Sequence, residues 1–194
     1  MKLVFVTNNS HKLKEIRAAL DDRYEILSLN ETGIYEEIPE PFNTLEENAI
    51  HKVKYIFEKY HVNGFADDTG LEVNALNGRP GVYSARYAGE GCSFNDNINK
   101  LLFELKGVVD RKARFRTILA LIENGRINLF QGVIEGYISE DKRGLEGFGY
   151  DPVFIPDGHL QSFAEMPLVE KNKISHRTRA LEKLIYYLNS SLLK

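Results

Sequence analysis

A mixed α/β sheet flanked by helices is the fold this sequence predicts, and three observations carry the reading. The chain opens with a compact apolar run, Leu3 to Val6, that passes directly into residues at helical spacing. Later come two long strand-like runs joined by Asn124-Gly125-Arg126. The chain then closes on an amphipathic helix. The order βαβα, hairpin, helix argues against a purely parallel, doubly wound sheet.

Taken in order, Leu3 to Val6 reads as a buried strand. Asn9 or Ser10 offers an N-cap to a helix whose Leu13, Ile16 and Leu20 share a face. A second strand is expected over Tyr24 to Leu29. Thr44-Leu45-Glu46-Glu47 has the form of a capping box. Behind it, Leu45, Ala49, Val53, Ile56, Phe57 and Tyr60 form a helical apolar stripe. Gly64-Phe65-Ala66 is too short to establish a strand alone, and it delivers Asp67 and Asp68 into a Thr69-Gly70 turn. Another helix follows Ser93, with Ile98, Leu101, Leu102 and Leu105 on its face. Ala113 to Glu123 and Ile127 to Ser139 pair as a hairpin, because Asn-Gly between two such runs is a strong short-range turn signal. From about Ser175 the last helix buries Leu181, Leu184, Ile185 and Leu188.

Composition narrows the function. The 194 residues, 43% hydrophobic and 27% charged, suit one globular unit spanning 1–194. A net charge of -3 gives no basic signature for duplex nucleic acid, although local lysines can still hold a small anion. The single cysteine, Cys92, excludes an intrachain disulfide framework and a multi-cysteine zinc site. The apolar start is too short for a signal peptide, and no run approaches a membrane span. A cytoplasmic protein without a membrane partner is therefore expected.

Five groups of residues could carry chemistry. In an extended backbone, Asp67 and Asp68 point to opposite faces, so one acid could face a site while the other braces it. Adjacent acids need a compensating cation or donors, and hard oxygen ligands suit Mg²⁺. A solvated acidic turn is an equal reading at this point. Thr7-Asn8-Asn9-Ser10-His11-Lys12 lies between strand and helix, where free backbone N–H groups and the helix dipole favour a phosphate. It lacks the P-loop pattern and also reads as an ordinary capped helix start. Glu40 is held between Pro39 and Pro41, which restrict its backbone. Asn48 and Lys52 share a helix face, either lining a site or simply solvated.

The fourth group is Gly147-Phe148-Gly149-Tyr150-Asp151-Pro152, where flanking glycines could expose Phe148 as a stacking platform or let it turn into the core. The fifth is Lys171-Asn172-Lys173-Ile174-Ser175-His176-Arg177. There Ser175 caps a helix, and the cations at its start oppose the dipole. Their placement suggests an anionic or carbonyl-bearing ligand, with a surface charge cluster as the bland alternative. Each signal is weak alone. Together they describe a nucleotide site.

These residues resemble the inosine/xanthosine triphosphate pyrophosphatases, the Ham1-like family. The resemblance runs from Val6-Thr7-Asn8-Asn9 to Ser175-His176-Arg177-Thr178-Arg179-Ala180-Leu181. Its most specific pieces are Ala66 to Leu71, Gly78-Arg79-Pro80-Gly81-Val82-Tyr83-Ser84-Ala85-Arg86-Tyr87, Gly147 to Pro152 and Lys171 to Arg177. It implies an elongated two-lobed protein with a nucleotide cleft between the lobes, assembled as a homodimer. The implied reaction is Mg²⁺-dependent hydrolysis of ITP, dITP or XTP to the nucleoside monophosphate and pyrophosphate, with one Mg²⁺ per site. The implied role is removal of deaminated purines from the nucleotide pool.

By position, the resemblance makes Asp68 the proton acceptor and a metal ligand, Glu40 the second metal carboxylate and Asp67 their support; Asn48 and Lys52 are added as supporting residues from their shared helix face. It assigns Thr7, Asn8, Asn9, Ser10, His11 and Lys12 to the triphosphate, with Thr69 the next contact. It gives Phe148, Gly149, Tyr150, Asp151, Lys171, His176 and Arg177 to base and sugar. For base choice, Arg177 or its neighbouring backbone would donate to the 6-oxo group. One departure stands out: Asn8 replaces the family's usual glycine. If that position needs a positive φ, asparagine is the least costly substitute. Two rivals remain, a Maf-like pyrophosphatase acting on pyrimidine or modified nucleotides, and a nucleotide sensor without catalysis.

Overall fold

Lys2–Phe5 (β1) pairs in parallel with Glu25–Ser28 (β2) and with the start of Gly64–Val73 (β3), so the opening βα unit forms as its apolar spacing predicts. The structure is a computed structural model that describes residues 2–191. Lys112–Glu123 (β5) and Arg126–Ile138 (β6) form the long hairpin. Both turn residues take positive φ, 50° at Asn124 and 78° at Gly125, which suits the tight turn expected of Asn-Gly. Pro80–Gly81 (β4) pairs with β3, and Phe154–Pro156 (β7) with β6. The sheet order is β2-β1-β3-β5-β6-β7, parallel at one end and antiparallel from β3 onward.

The helices are α1 (Ser10–Ala19), α2 (Leu45–Tyr60), α3 (Phe94–Glu104), α4 (Leu168–Ile174) and α5 (His176–Ser191). Helix α2 covers one face of the sheet, where Ala49, Val53 and Ile56 meet Ala66, Ile118 and Ala120. Helices α1 and α5 cover the other, where Ile16, Leu181 and Leu184 meet Phe5, Phe65 and Leu119. Beyond these, the far ends of β3, β5 and β6 pack with α3 around Leu71, Phe115, Leu101 and Phe154. The two halves of the core give the molecule its two lobes. Among the described residues, no helix is long and apolar enough to cross a membrane.

The expected Thr69-Gly70 turn does not form. Asp67 to Gly70 lie inside β3, a ten-residue strand registered against β5 from Gly64↔Ile122 to Val73↔Ala113. Gly70 is there because β4 passes close by. A Cβ at Gly70 would sit 2.6 Å from the Gly81 carbonyl oxygen. The Thr44 cap forms only in part: its hydroxyl accepts from the Glu47 amide and donates to the Glu47 carboxylate, without the reciprocal bond of a capping box. Helix α4 was not anticipated, because seven residues do not display a full apolar stripe.

Candidate active site

Because Asp67 and Asp68 are consecutive in a strand, their side chains leave on opposite faces of the sheet. Asp67 points toward α1 and α5, where it accepts from Lys12 Nζ at 2.9 Å, from Arg177 Nη2 at 3.3 Å and from the Thr69 hydroxyl at 3.1 Å. Asp68 points toward α2, where Asn48 Nδ2 donates to it at 3.2 Å. A single residue step thus separates the two roles. Asp67 is enclosed behind the cavity wall, whereas Asp68 lines the cavity.

Burial disfavours both charged forms, but the neighbours differ. For Asp67, Lys12, Arg177 and Lys52 outweigh burial and hold the carboxyl well below its usual range. For Asp68, burial dominates and the nearby Glu40 and Asp67 charges add to it. Its carboxyl is pushed up to about 6 despite Lys52 and Lys12. Two adjacent acids are therefore one fixed anion and one group poised near neutrality.

Glu40 reaches this place from the irregular segment before α2. Lys52 Nζ donates to Glu40 Oε1 at 2.6 Å and to the Asp67 carbonyl, and lies 3.8 Å from Asp68 Oδ1. Burial would raise the Glu40 carboxyl, but Lys52 and Lys12 outweigh it and keep it below its usual range. Glu40 and Asp68 present hard oxygen donors to one cavity, with Lys52 between them. Among the described residues, no group of three or more His, Cys, Asp or Glu side chains could hold a metal by itself. Two carboxylates, with the remaining ligands from water and phosphate, is the donor set that suits Mg²⁺.

The Thr7–Lys12 loop lies where β1 passes into α1. Asn9 caps α1, its side-chain oxygen accepting from the His11 and Lys12 amides at 3.0 and 3.1 Å. Those two N–H groups are thus already bonded within the protein, and Asn9 is the cap that its position offers. Thr7, Asn8, Asn9 and Lys12 line the cavity; Ser10 and His11 do not. The His11 ring instead stacks on Phe148, with centroids 5.1 Å apart. Asn8 does not take a positive φ. Its side chain donates to the Glu36 carbonyl oxygen at 2.9 Å.

Across the cleft, Phe148, Gly149, Tyr150, Asp151, Lys171, His176 and Arg177 all border the same cavity of about 770 Å³. Lys171 Nζ is buried between Asp151 at 2.5 Å and Glu15 at 2.6 Å. Arg177 binds Glu15 through Nη1 and Asp67 through Nε and Nη2. Its guanidinium is therefore held by protein acids at the cavity edge. The two acids around Lys171 shift in opposite directions. Burial raises Asp151, whereas at Glu15 Arg177 and Lys171 outweigh burial and lower the carboxyl.

His176 is buried against the Phe115 edge, and neither ring nitrogen has a hydrogen-bond partner. Burial, with Arg177 and Lys171 nearby, depresses its pKa well below the usual histidine value, so the ring stays neutral. A neutral imidazole carries one donor and one acceptor, both unsatisfied here. Such a group asks for a ligand.

Sequence reasoning missed Glu15, because its partners Lys171 and Arg177 are distant in the chain and no local pattern marks a single acid beside Ile16. It also missed Thr117, whose hydroxyl lies 2.7 Å from that of Thr69 across the β3–β5 pair. Arg86, which belongs to the Gly78–Tyr87 motif but had no role assigned, lines the cavity and donates to the Glu40 carbonyl at 3.2 Å. Asn48 is buried as a brace for Asp68 and the Phe42 backbone and does not line the cavity.

The sequence profile of the Ham1 family matches residues 3–187. The chain is 49% identical over 190 residues to a dITP/XTP pyrophosphatase of Flavobacterium psychrophilum, covering 98% of this chain and 100% of the relative. It is 52% identical over 188 residues to a dITP/XTP pyrophosphatase of Porphyromonas gingivalis, covering 96% of this chain and 97% of the relative. The solved Ham1 protein of Staphylococcus aureus superposes with a TM-score of 0.88 at 35% identity, covering 98% of this chain and 100% of that one.

Proposed function

The chain belongs to the Ham1 family, and from that premise we propose that it is a dITP/XTP pyrophosphatase. It hydrolyses 6-oxo purine nucleoside triphosphates (dITP, XTP and ITP) to the nucleoside monophosphate and pyrophosphate. The observation that carries this reading is the convergence on one 770 Å³ cavity of two carboxylates, Glu40 and Asp68, a helix-start loop with Lys12, and the Phe148–Asp151 and Lys171–Arg177 segments.

Glu40 and Asp68 would hold Mg²⁺, which when bound neutralises phosphate charge and polarises the phosphoryl oxygens. Asp68 accepts the proton of the water that attacks the α-phosphorus. The new P–O bond forms as the bond to the bridging oxygen breaks. Burial raises the Asp68 carboxyl in the metal-free site, which disposes it to take up a proton. Lys12, anchored on Asp67, donates to the leaving pyrophosphate from within the Thr7–Lys12 loop. Lys52, paired with Glu40 and near Asp68, offsets the repulsion between the two carboxylates before substrate arrives.

At the other end, the base lies beside Phe148, whose ring already carries His11, and meets the unsatisfied ring of His176. Lys171 has three N–H donors and uses two on Glu15 and Asp151, which leaves one to face a 6-oxo oxygen. An adenine amino group would set donor against donor there, a mismatch that hydrogen-bonding sites reject strongly. The reading also includes one Ham1-like unit over 1–194, a homodimer in the cytoplasm, and no duplex nucleic acid or membrane as partner.

The test is product identity with dITP and Mg²⁺. Equimolar dIMP and pyrophosphate support the reading, whereas dIDP with inorganic phosphate refutes it. Rapid cleavage of pyrimidine triphosphates in preference to dITP would favour the Maf-like alternative.

A further inference from the structure

Glu36 has no part in the chemistry above, yet three side chains of α2 converge on its carboxylate. Tyr55 Oη and Lys59 Nζ each donate at 2.6 Å, and the Tyr60 hydroxyl donates as well. Tyr55 and Lys59 lie one turn apart on the same face of the helix. The Glu36 carbonyl oxygen accepts from Asn8 Nδ2 at 2.9 Å. Residue 36 is therefore tied to α2 through its side chain and to the Thr7–Lys12 loop through its backbone.

This matters because residues 34–41 have no regular secondary structure. Ile34 is buried and its N–H bonds the Leu29 carbonyl, but no ladder carries the path on from there, so side-chain contacts must. Pro39 and Pro41 narrow the backbone choices near Glu40, but they make no contact that fixes where its carboxylate lies. Ile38 packs half-buried against the core under α2, and the next polar tethers lie at Glu40 itself, where Arg86 Nη2 holds the carbonyl and Lys52 the carboxylate. A lone exposed ion pair would add little, but three donors on one carboxylate form a network.

We propose that Glu36 is a positioning residue for Glu40: clamped on Tyr55, Lys59 and Tyr60, it sets the path of residues 34–41 and so the place of the Glu40 carboxylate in the cavity. The inference rests on the reading of Glu40 as a metal ligand, and its test separates the two.

The experiment measures Mn²⁺ binding by electron paramagnetic resonance, with α,β-methylene-ITP present, alongside dITP turnover across a Mg²⁺ series. Glu36→Ala should weaken Mn²⁺ and raise the Mg²⁺ needed for half-maximal rate by roughly tenfold, the usual effect of removing a group that orients a ligand. KM for dITP at saturating Mg²⁺ should change by less than about threefold. Glu36→Gln, whose amide oxygen still accepts from the tyrosines, should fall between Glu36→Ala and the unaltered protein.

Unchanged Mn²⁺ affinity in folded Glu36→Ala overturns the proposal. So does a raised KM with unchanged metal affinity, which would place the anchor under the phosphate loop through Asn8. Should Glu36→Ala not fold, the double variant Tyr55→Phe/Tyr60→Phe keeps the Lys59 pair and must show the same shift at smaller size; normal Mn²⁺ affinity there overturns the proposal equally. Glu40→Gln serves as the reference. If it binds Mn²⁺ normally, the metal role of Glu40 has failed and the clamp falls with it.

Discussion

Replacing Glu15 tests whether the buried charge cluster beneath the base end of the cleft is a structural support. Glu15, Asp67 and Asp151 balance Lys12, Lys171 and Arg177, three charges of each sign. Glu15 is 4% exposed and meets both Lys171 and Arg177. In Glu15→Leu, Lys171 keeps Asp151 and Arg177 keeps Asp67, but the interior holds one uncompensated positive charge. Removing one partner of a buried ion pair costs about 3 to 5 kcal/mol. Glu15→Gln keeps one accepting oxygen and should cost less, about 2 kcal/mol. At roughly 2 to 4 °C per kcal/mol for a protein of this size, Glu15→Leu should lower the melting temperature by roughly 6 to 20 °C. The chain has no tryptophan, so urea unfolding followed by far-ultraviolet circular dichroism is the suitable assay. If both variants stay within about 0.5 kcal/mol of the unaltered protein, the size of an ordinary surface change, the cluster does not support the fold.

Further outcomes follow from the same packing. Gly132→Ala places a Cβ 1.9 Å from the His176 carbonyl oxygen and 2.5 Å from the Ala180 nitrogen, so α5 must move off β6. The expected cost is about 3 kcal/mol in urea unfolding, and a neutral result would refute the close approach. His176 is faced by Arg177 of α5, Lys171 of α4, Asp67 of β3, Lys12 of α1 and the Phe115 ring of β5. Its folded pKa lies below the unfolded value, so the unfolded chain binds more protons and stability falls as pH drops below about 6.5. This group contributes up to about 1.4 kcal/mol per pH unit, a part that His176→Leu should remove. Equal stability slopes between pH 6.5 and 5 for the two proteins would contradict this. For base choice, kcat/KM for dITP should exceed that for dATP by at least about a hundredfold, and equal values would rule out a 6-oxo reader.

The secondary structure was legible wherever the periodicity was strong. The Asn124-Gly125 hairpin, the Leu45–Tyr60 stripe and the Ser93 cap each carry their signal within a few residues. Asp67 to Gly70 misled because Asp, Thr and Gly are turn formers by local chemistry. Here pairing along the whole of β5 and the approach of β4 override that preference. Within the site, loops with local signatures could be read, whereas Glu15 and Thr117 are functional neighbours only after the sheet and α5 are assembled. Arg177 shows the same limit. Its position was readable, but its engagement with Glu15 and Asp67 depends on residues 162 and 110 places away. Asn8 also acts through a distant partner, the Glu36 carbonyl, and not through backbone conformation.

Asp68→Asn turnover of dITP, measured beside the affinity for α,β-methylene-ITP, tests the central claim most directly. Asparagine keeps the shape and the contact with Asn48 but cannot accept the proton of the attacking water. Pyrophosphate release should fall by about a thousandfold, while analogue affinity changes less than about tenfold. Turnover within about tenfold of the unaltered protein would contradict the assignment of Asp68 as the proton acceptor.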